Sequence, residues 1–364
     1  GVEAFAVAPA YRANARQLVM SASNQGAIAA GLRALRAAHA RVAGGSVPLP
    51  VGAQLTCSGR YSFGRPAGSP LLLVYHHPEL DRRLGTADSA PLMTDAELEG
   101  VVAEYAEAAR TAAEAGFDFL DLKACHRYWV NETLAAKTRP GPYGGPFENR
   151  VKILLMIVDA VRRAVGPGLP LACRLSACDG IPFEEDAATR RPGLKGYGRP
   201  APYTTPYVWG WGVREDDPRE PDLDEPLRLV GLLRARGVTM FNVTAGSPYS
   251  NPHLSRPTES PPVDGYQPAR DPLHEVAQHF RFARAVKEAH PEVGVVGTGY
   301  SYLRRFKAHA AAFNIGAGRA DVAGLGRALL AYPDEARRLL EGGAAPVERG
   351  RVVFHDRATY TELR

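Results

Sequence analysis

A chain of 364 residues, 45% of them hydrophobic, has enough apolar mass for one large or two average domains with a full core. Its formal charge of +5 is spread over scattered basic residues, Arg162, Arg163, Arg190, Arg191, Arg304 and Arg305 among them, with no basic stripe interleaved with aromatics, which argues against a nucleic-acid surface. No apolar run approaches the ~18–20 residues that span a bilayer, and the four cysteines (Cys57, Cys125, Cys173 and Cys178) lack metal-type spacing, which favours a reduced, cytoplasmic setting.

Taken in chain order, strands are predicted near Val2–Val7, Pro50–Leu55, Phe117–Lys123, Leu169–Leu175, Thr239–Thr244, Val293–Gly297 and Asp321–Leu325. Each is short, rich in Val, Leu or Phe and largely apolar on both faces, as the strands of a covered parallel sheet must be. Helices fall between them, roughly over Asn24–Ala40, Thr94–Ala115, Phe147–Val165, Glu225–Arg236, Leu273–His290, Tyr302–Ile315 and Pro333–Glu341. Thr94–Ala115 shows the period best: Leu98, Val101, Val102, Tyr105, Ala108 and Ala112 share one face, with Asp95 and Glu97 near the start.

Seven β–α units alternate with no linker and no change of rhythm. The expectation is one α/β domain over residues 1–364, a (β/α)8 TIM barrel with seven of its eight units present. An open doubly wound sheet is the rival. Gly1–Ala8 already reads as a strand, with no charged segment and cleavage site ahead of it, so a barrel truncated before its first strand, and no signal peptide, is expected. Two connections are long, Ser58–Met93 and Ala177–Asp224. The second carries Tyr197, Tyr203, Tyr207, Trp209 and Trp211, and reads either as a self-packed excursion or as a lid inserted over 177–224.

Chemistry in such a barrel belongs at the C-terminal ends of the strands. The second predicted strand ends in Gln54, and the third delivers Lys123, His126 and Tyr128: a cation, a hydrogen-bond donor and a possible proton donor. The fourth ends in Arg174, the fifth in Asn242 and Thr244, and the last two in the Gly-rich turns VVGTGYSYL and GLGRALL. Glycines there let backbone amides approach a phosphate, and Arg327 adds a bidentate charge. Each residue also has a plain structural reading. Gln54 could cap a loop, Arg174 could pair with Asp118 or Asp121, Tyr128 could be packing, and Arg327 could pair with Asp334 or Glu335. Their convergence on one mouth is what favours a site.

Those residues carry a resemblance. GVEAFAV, QLTCSGR, the H-x-Y of His126–Tyr128, YGGPFENR, ACRLSA, GTGYSYL and AGLGRALLAYPD occur in the order found in the old yellow enzyme family, FMN barrels that include NADH:flavin oxidoreductases and 2,4-dienoyl-CoA reductases. The resemblance runs from residue 1 to about Pro333. It implies that Ala4 and Gln54 contact the flavin ring, that Arg174 faces its N1/C2=O end, and that Gly299, Tyr300, Gly326 and Arg327 hold the FMN phosphate. It implies that His126 polarises a substrate carbonyl, that Tyr128 protonates the α-carbon as hydride reaches the β-carbon, and that NAD(P)H is the reductant in a ping-pong cycle.

Three departures accompany it. Lys123 stands where most relatives have a His, which makes an anionic substrate more plausible. The first barrel strand is absent from the chain. Leu340–Arg364 contains no cysteine, so no iron–sulfur cluster is expected. The leading expectation is therefore an FMN-dependent reductase of an activated C=C bond in a small molecule with a conjugated carbonyl, with no nucleic-acid or membrane partner and with homo-oligomers possible. Its alternatives are a flavin-dependent dehydrogenase, desaturase or isomerase, a flavin-free barrel using Lys123 as a Schiff-base nucleophile, and a non-catalytic binding module.

Overall fold

The computed structural model of the protein describes residues 3–43, 45, 47–259 and 265–340. All seven predicted strands form: β1 (Phe5–Ala6), β2 (Gly52–Thr56), β3 (Phe119–Ala124), β4 (Leu171–Cys178), β7 (Val238–Ala245), β8 (Gly294–Gly297) and β9 (Val322–Ala323). Two more, β5 (Phe183–Glu185) and β6 (Gly198–Pro200), pair antiparallel within the long 177–224 stretch and have no counterpart in the sequence prediction. The main sheet runs β1-β2-β3-β4-β7-β8-β9. Its successive pairs β1–β2, β2–β3, β3–β4 and β8–β9 are parallel. Gly1 and Val2 of the first predicted strand, Glu341 of the last predicted helix, and the cysteine-free tail over 341–364 lie outside the described residues.

The described residues divide into two compact units, one of 3–180 and 202–241, the other of 181–201 and 242–340. In the first unit the helix Asp95–Ala115 starts at a capping box, with the Thr94 hydroxyl and the Glu97 carboxylate satisfying each other's backbone amides. It ends at Gly116, whose φ of 93° only glycine adopts cheaply. Its predicted face is buried as expected, and it packs on the helix Lys152–Val165. That partner was predicted as one helix from Phe147; Val151 interrupts it after the turn Phe147–Arg150. The Trp211 side chain is fully buried and donates to the Ser176 carbonyl at 2.9 Å, fastening the 202–224 stretch to β4.

In the second unit, the predicted helix Tyr302–Ile315 is in fact two elements: a 3-10 turn, Tyr300–Phe306, and the helix Lys307–Gly316. The change falls at Arg304, whose φ of 51° is incompatible with a continuing helix. The helix Leu273–Ala289 packs on β8.

What positions the strand ends of the first unit is a buried ionic cluster. Arg60, in the turn after β2, has a fully buried guanidinium held on three sides: by Glu132 from the helix Trp129–Ala135, by Asp81 from the helix Pro78–Leu84 at 2.6 Å, and by the Tyr75 carbonyl at 3.0 Å. Asp81 also accepts from His76 Nδ1 and from the His77 amide. Beside it, Gly59 (φ 59°) lies so close to Trp129 that an added Cβ would sit 3.0 Å from the Trp129 backbone. The turn after β2 and the helix after β3 are thus one unit of structure. Truncating one member of a buried ion cluster leaves uncompensated charge and costs about 3–5 kcal/mol. Arg60→Ala is therefore expected to lower the unfolding free energy by about that much, read from the urea midpoint, whereas Arg110→Ala, removing an exposed pair with Glu107, should change it by less than about 1 kcal/mol.

Candidate functional site

In the first unit, the predicted residues Ala4, Gln54, Lys123, His126, Tyr128 and Arg174 come from the ends of β1 to β4. Ala4 is buried just before β1, and its carbonyl accepts from Gln17 Nε2 at 2.6 Å. Gln54 and Asp121 are register partners on β2 and β3, and Gln54 Nε2 donates to Asp121 Oδ2 at 2.6 Å. That bond fixes the amide and leaves its carbonyl oxygen as the outward acceptor. Asp121, considered as a partner for Arg174 or Lys123, also holds Gln54.

Lys123 and Arg174 are register partners on β3 and β4, so two cations leave neighbouring strands side by side. Neither of the structural partners considered for Arg174 is hydrogen-bonded to its guanidinium, although the Asp121 charge lies near it. Asp118 pairs with Arg36 at 2.8 Å and accepts from the Val51 amide, and Asp121 holds Gln54. Arg174 Nε is buried with no hydrogen-bond partner among the described residues. The Lys123 ammonium lies over the Tyr128 ring, 3.6 Å from its centroid, and the residue is 8% exposed. Burial, reinforced by the Arg174 charge and opposed by Cys125, Glu3 and Asp121, pushes its pKa down to about 8.

The turn that delivers His126 and Tyr128 is unusual. His126 (φ 65°) and Arg127 (φ 56°) are consecutive non-glycine residues in the left-handed region, each at a cost of order 1–3 kcal/mol. The compensation is visible. The Arg127 amide donates to Asn131 Oδ1 at 2.7 Å and its buried guanidinium to the Gly180 carbonyl at 2.6 Å, beside Asp179. The chain then turns so that Tyr128 is the N-cap of Trp129–Ala135, buried against Tyr61 and Ala13, with the His126 ring edge-on at 6.5 Å. Arg60, Arg127 and Glu132 were missed in the sequence. Arg127 sits inside the H-x-Y motif, and its buried charge was the available signal.

An aromatic wall adjoins this turn. Tyr75 donates to the Trp209 carbonyl at 3.1 Å, and His77 Nε2 lies 3.2 Å from the Tyr207 hydroxyl. Burial, with Arg127 and Arg60 close by, drives the His77 pKa well below its ordinary value, so this imidazole is neutral. All four cysteines are buried thiols, as expected of small apolar packing groups.

In the second unit, the two glycine turns lie against each other. The Gly324 amide donates to the Gly297 carbonyl at 2.8 Å, and a Cβ on Gly324 would come within 2.9 Å of that oxygen. Gly299 (φ 95°) leads into Tyr300, which is buried, its ring tilted against Phe280 with centroids 4.7 Å apart, and its hydroxyl accepts from Asn314. Gly326 opens the short helix Arg327–Ala331. Asp334 pairs with Arg338 and Glu335 with Lys307 at 2.5 Å, so the carboxylates first considered for Arg327 are engaged by other cations.

The Lys123 shift has a stability consequence. Below about pH 8 both folded and unfolded chains carry its proton; between about 8 and about 10.4 only the unfolded chain does, so stability rises with pH across that window. The wild-type protein should therefore gain stability relative to Lys123→Met between those limits, measured by urea unfolding at stepped pH; parallel pH curves would show that the amine titrates normally.

Comparison with known proteins follows the same residues. Residues 75–190 match the sequence profile of the NADH:flavin oxidoreductase / NADH oxidase family. The NADPH dehydrogenase of Geobacillus sp. (strain WCH70) is 43% identical over 89 residues, 24% of this chain and 26% of that protein. The NADH oxidase of Thermoanaerobacter brockii is 25% identical over 252 residues, 69% of this chain and 30% of that protein. The aligned stretches thus span under a third of these relatives' lengths. The solved structure of morphinone reductase in complex with tetrahydroNAD matches 94% of this chain and 77% of its own, with a TM-score of 0.61 at 20% identity, so the α/β fold is of the TIM-barrel kind. Over residues 75–190 the chain is thus similar to the NADH:flavin oxidoreductase / NADH oxidase family, the old yellow enzyme group.

Proposed function

We propose that this protein is an FMN-dependent oxidoreductase that uses NAD(P)H to reduce an activated C=C bond in a small conjugated carbonyl compound. The observation that carries this reading is the convergence of two cations and an acid at neighbouring strand ends: buried Lys123 beside half-buried Arg174, with Tyr128 beneath the Lys123 ammonium. The names of the relatives, NADPH dehydrogenase and NADH oxidase, support nicotinamide as the reductant.

The residues fit the group that the family implies. The orphaned Arg174 Nε calls for an acceptor, as a flavin N1/C2=O edge would supply, and the carbonyl of the clamped Gln54 suits a ring N–H. In the other unit, the Gly299–Tyr300 and Gly326–Arg327 turns suit a phosphate, with Arg327 as its charge partner. The chemistry that FMN would supply is hydride relay from NAD(P)H to the β-carbon of the conjugated bond. Against it, His126 donates to the substrate carbonyl and draws charge toward oxygen, and Tyr128 gives its proton to the α-carbon and regains one from solvent. The aromatic wall of Tyr75, His77, Tyr207 and Trp209 keeps water from the Arg127 turn that holds both groups.

Purified protein should show a flavin spectrum that bleaches anaerobically with NADH or NADPH; a colourless protein that refuses added FMN would reject the reading. Tyr128→Phe should slow substrate reduction by roughly 10²–10⁴-fold while leaving bleaching nearly intact. Equal loss in both half-reactions would remove Tyr128 from the proton-donor role. Arg327→Ala should weaken FMN retention more than it alters turnover of the enzyme that remains loaded, measured by flavin release on dialysis.

One observation favours a second reading. With its pKa brought down to about 8, buried Lys123 keeps a minor but appreciable fraction of neutral amine at physiological pH, the form that attacks carbonyls. Borohydride trapping of a substrate adduct on Lys123 in flavin-free protein would select this reading over the first.

A further inference from the structure

The two glycine turns of the second unit leave β8 and β9 just past one register pair, Gly297 and Ala323, and the Gly324 amide closes on the Gly297 carbonyl. Beyond that bond the strands end, and sheet pairing no longer sets the distance from Tyr300 to Arg327. Side chains of the next helix do. The fully buried residues of Lys307–Gly316 are Lys307 and Asn314, both polar, while Phe313 and Ile315 of the same helix are exposed. This is the reverse of an ordinary amphipathic helix, and both buried groups reach the turn after β8. Asn314 Nδ2 donates to the Tyr300 hydroxyl at 3.1 Å, and Lys307 Nζ donates to the Arg304 carbonyl at 3.0 Å. Arg304 is the one left-handed non-glycine residue among the described residues of this unit, and such a conformation persists only where its surroundings fix it. Lys307 supplies that fixing bond. The same ammonium meets Glu335 at 2.5 Å, and Glu335 opens the helix that follows Arg327–Ala331, its amide donating to the Tyr332 carbonyl at 3.0 Å. One buried ion pair therefore joins the turn after β8 to the segment that carries Arg327.

We propose that Lys307 and Glu335 are positioning residues for phosphate recognition, holding the Gly299–Tyr300 turn and Arg327 at the separation that a phosphate monoester needs. This rests on the reading of those two turns as the place where the phosphate of FMN is held. Lys307 is not itself the anion's ligand, because its charge is spent on Glu335 and its remaining reach on the Arg304 carbonyl. It acts through the two turns. An arginine fork grips a phosphate only in a narrow range of directions, so a small shift of the segment that carries it forfeits part of the bond. A buried pair suits the task, since displacing either partner leaves a charge uncompensated. Apolar packing would tolerate sliding between the two segments; an ammonium bonded at once to a carbonyl of one and a carboxylate of the other does not.

The test is equilibrium binding of FMN and riboflavin to the purified full chain, read by flavin fluorescence, because the two probes differ only in the phosphate. Wild type is expected to prefer FMN. The double variant Lys307→Met/Glu335→Leu removes both charges at similar volume, an exchange that buried pairs often tolerate without loss of stability. Its preference for FMN should fall roughly 10–100-fold, the worth of one charge-assisted hydrogen bond, while its riboflavin affinity and urea midpoint stay near those of wild type. Glu335→Asp keeps both charges and draws the carboxylate back by one methylene. It should lower the preference in the same direction with riboflavin affinity retained, and it decides the question if the double variant does not fold. An unchanged preference in the folded variants would overturn the assignment, and so would an equal loss of affinity for both flavins, which is what a merely structural pair would give. Wild type that binds the two flavins equally would remove the phosphate site, and this inference with it, while leaving the flavin reading intact. Wild type that binds neither flavin fails the proposed function and this inference together. Wild type that prefers FMN, with variants that prefer it as strongly, fails this inference alone.

Discussion

The strand ends of the first unit are ordered by one buried guanidinium. Arg60 takes a carboxylate from each of two helices that are far apart in the chain and a carbonyl from the segment just before the first of them, so the turn after β2, the Pro78–Leu84 helix and the Trp129–Ala135 helix share one electrostatic centre. A buried ion cluster adds little to net stability over a well-packed apolar core, but it tolerates few alternatives, because any displacement leaves a charge unpaired. That intolerance is what a site needs. Gln54 lies six residues before Arg60, and Tyr128 four residues before Glu132, so the cluster fixes both approaches to the strand ends at once.

The same unit then accepts strain where the chemistry is proposed. Two successive left-handed residues, His126 and Arg127, make the chain reverse direction sharply enough to place Tyr128 at a helix start with its ring under Lys123. Glycine would adopt this backbone more cheaply. An arginine at the second position stiffens the turn instead, since its own guanidinium reaches Gly180 and its amide is held by Asn131. Strain that is offset by specific hydrogen bonds keeps a turn in one conformation, and with it the separation between His126 and Tyr128.

The cations therefore fall into two kinds. Arg60 and Arg150 are buried with every guanidinium nitrogen hydrogen-bonded and serve the fold. Lys123 and Arg174 stand side by side near Asp121, which also holds Gln54, and they are the pair proposed to face a ligand.

The seven β–α units were legible in the chain because short, doubly apolar strands and 3.6-residue periodicity are local properties, and the capped helix Asp95–Ala115 emerged with the face that its spacing predicted. The candidate residues were legible too, since a polar or charged side chain ending an apolar strand stands out. What they touch was not. That Asp121 would hold the Gln54 amide follows from register across β2–β3, which no single strand encodes. The short pair β5–β6 was missed because three-residue strands carry no usable period. The break at Val151 and the 3-10 turn at Tyr300 arise from packing that overrides local propensity. Sequence alone determined which elements form and which chemistries are available. Only the tertiary structure decided which charges are neutralised and by which partners, because compensation depends on distances between residues that lie tens of positions apart.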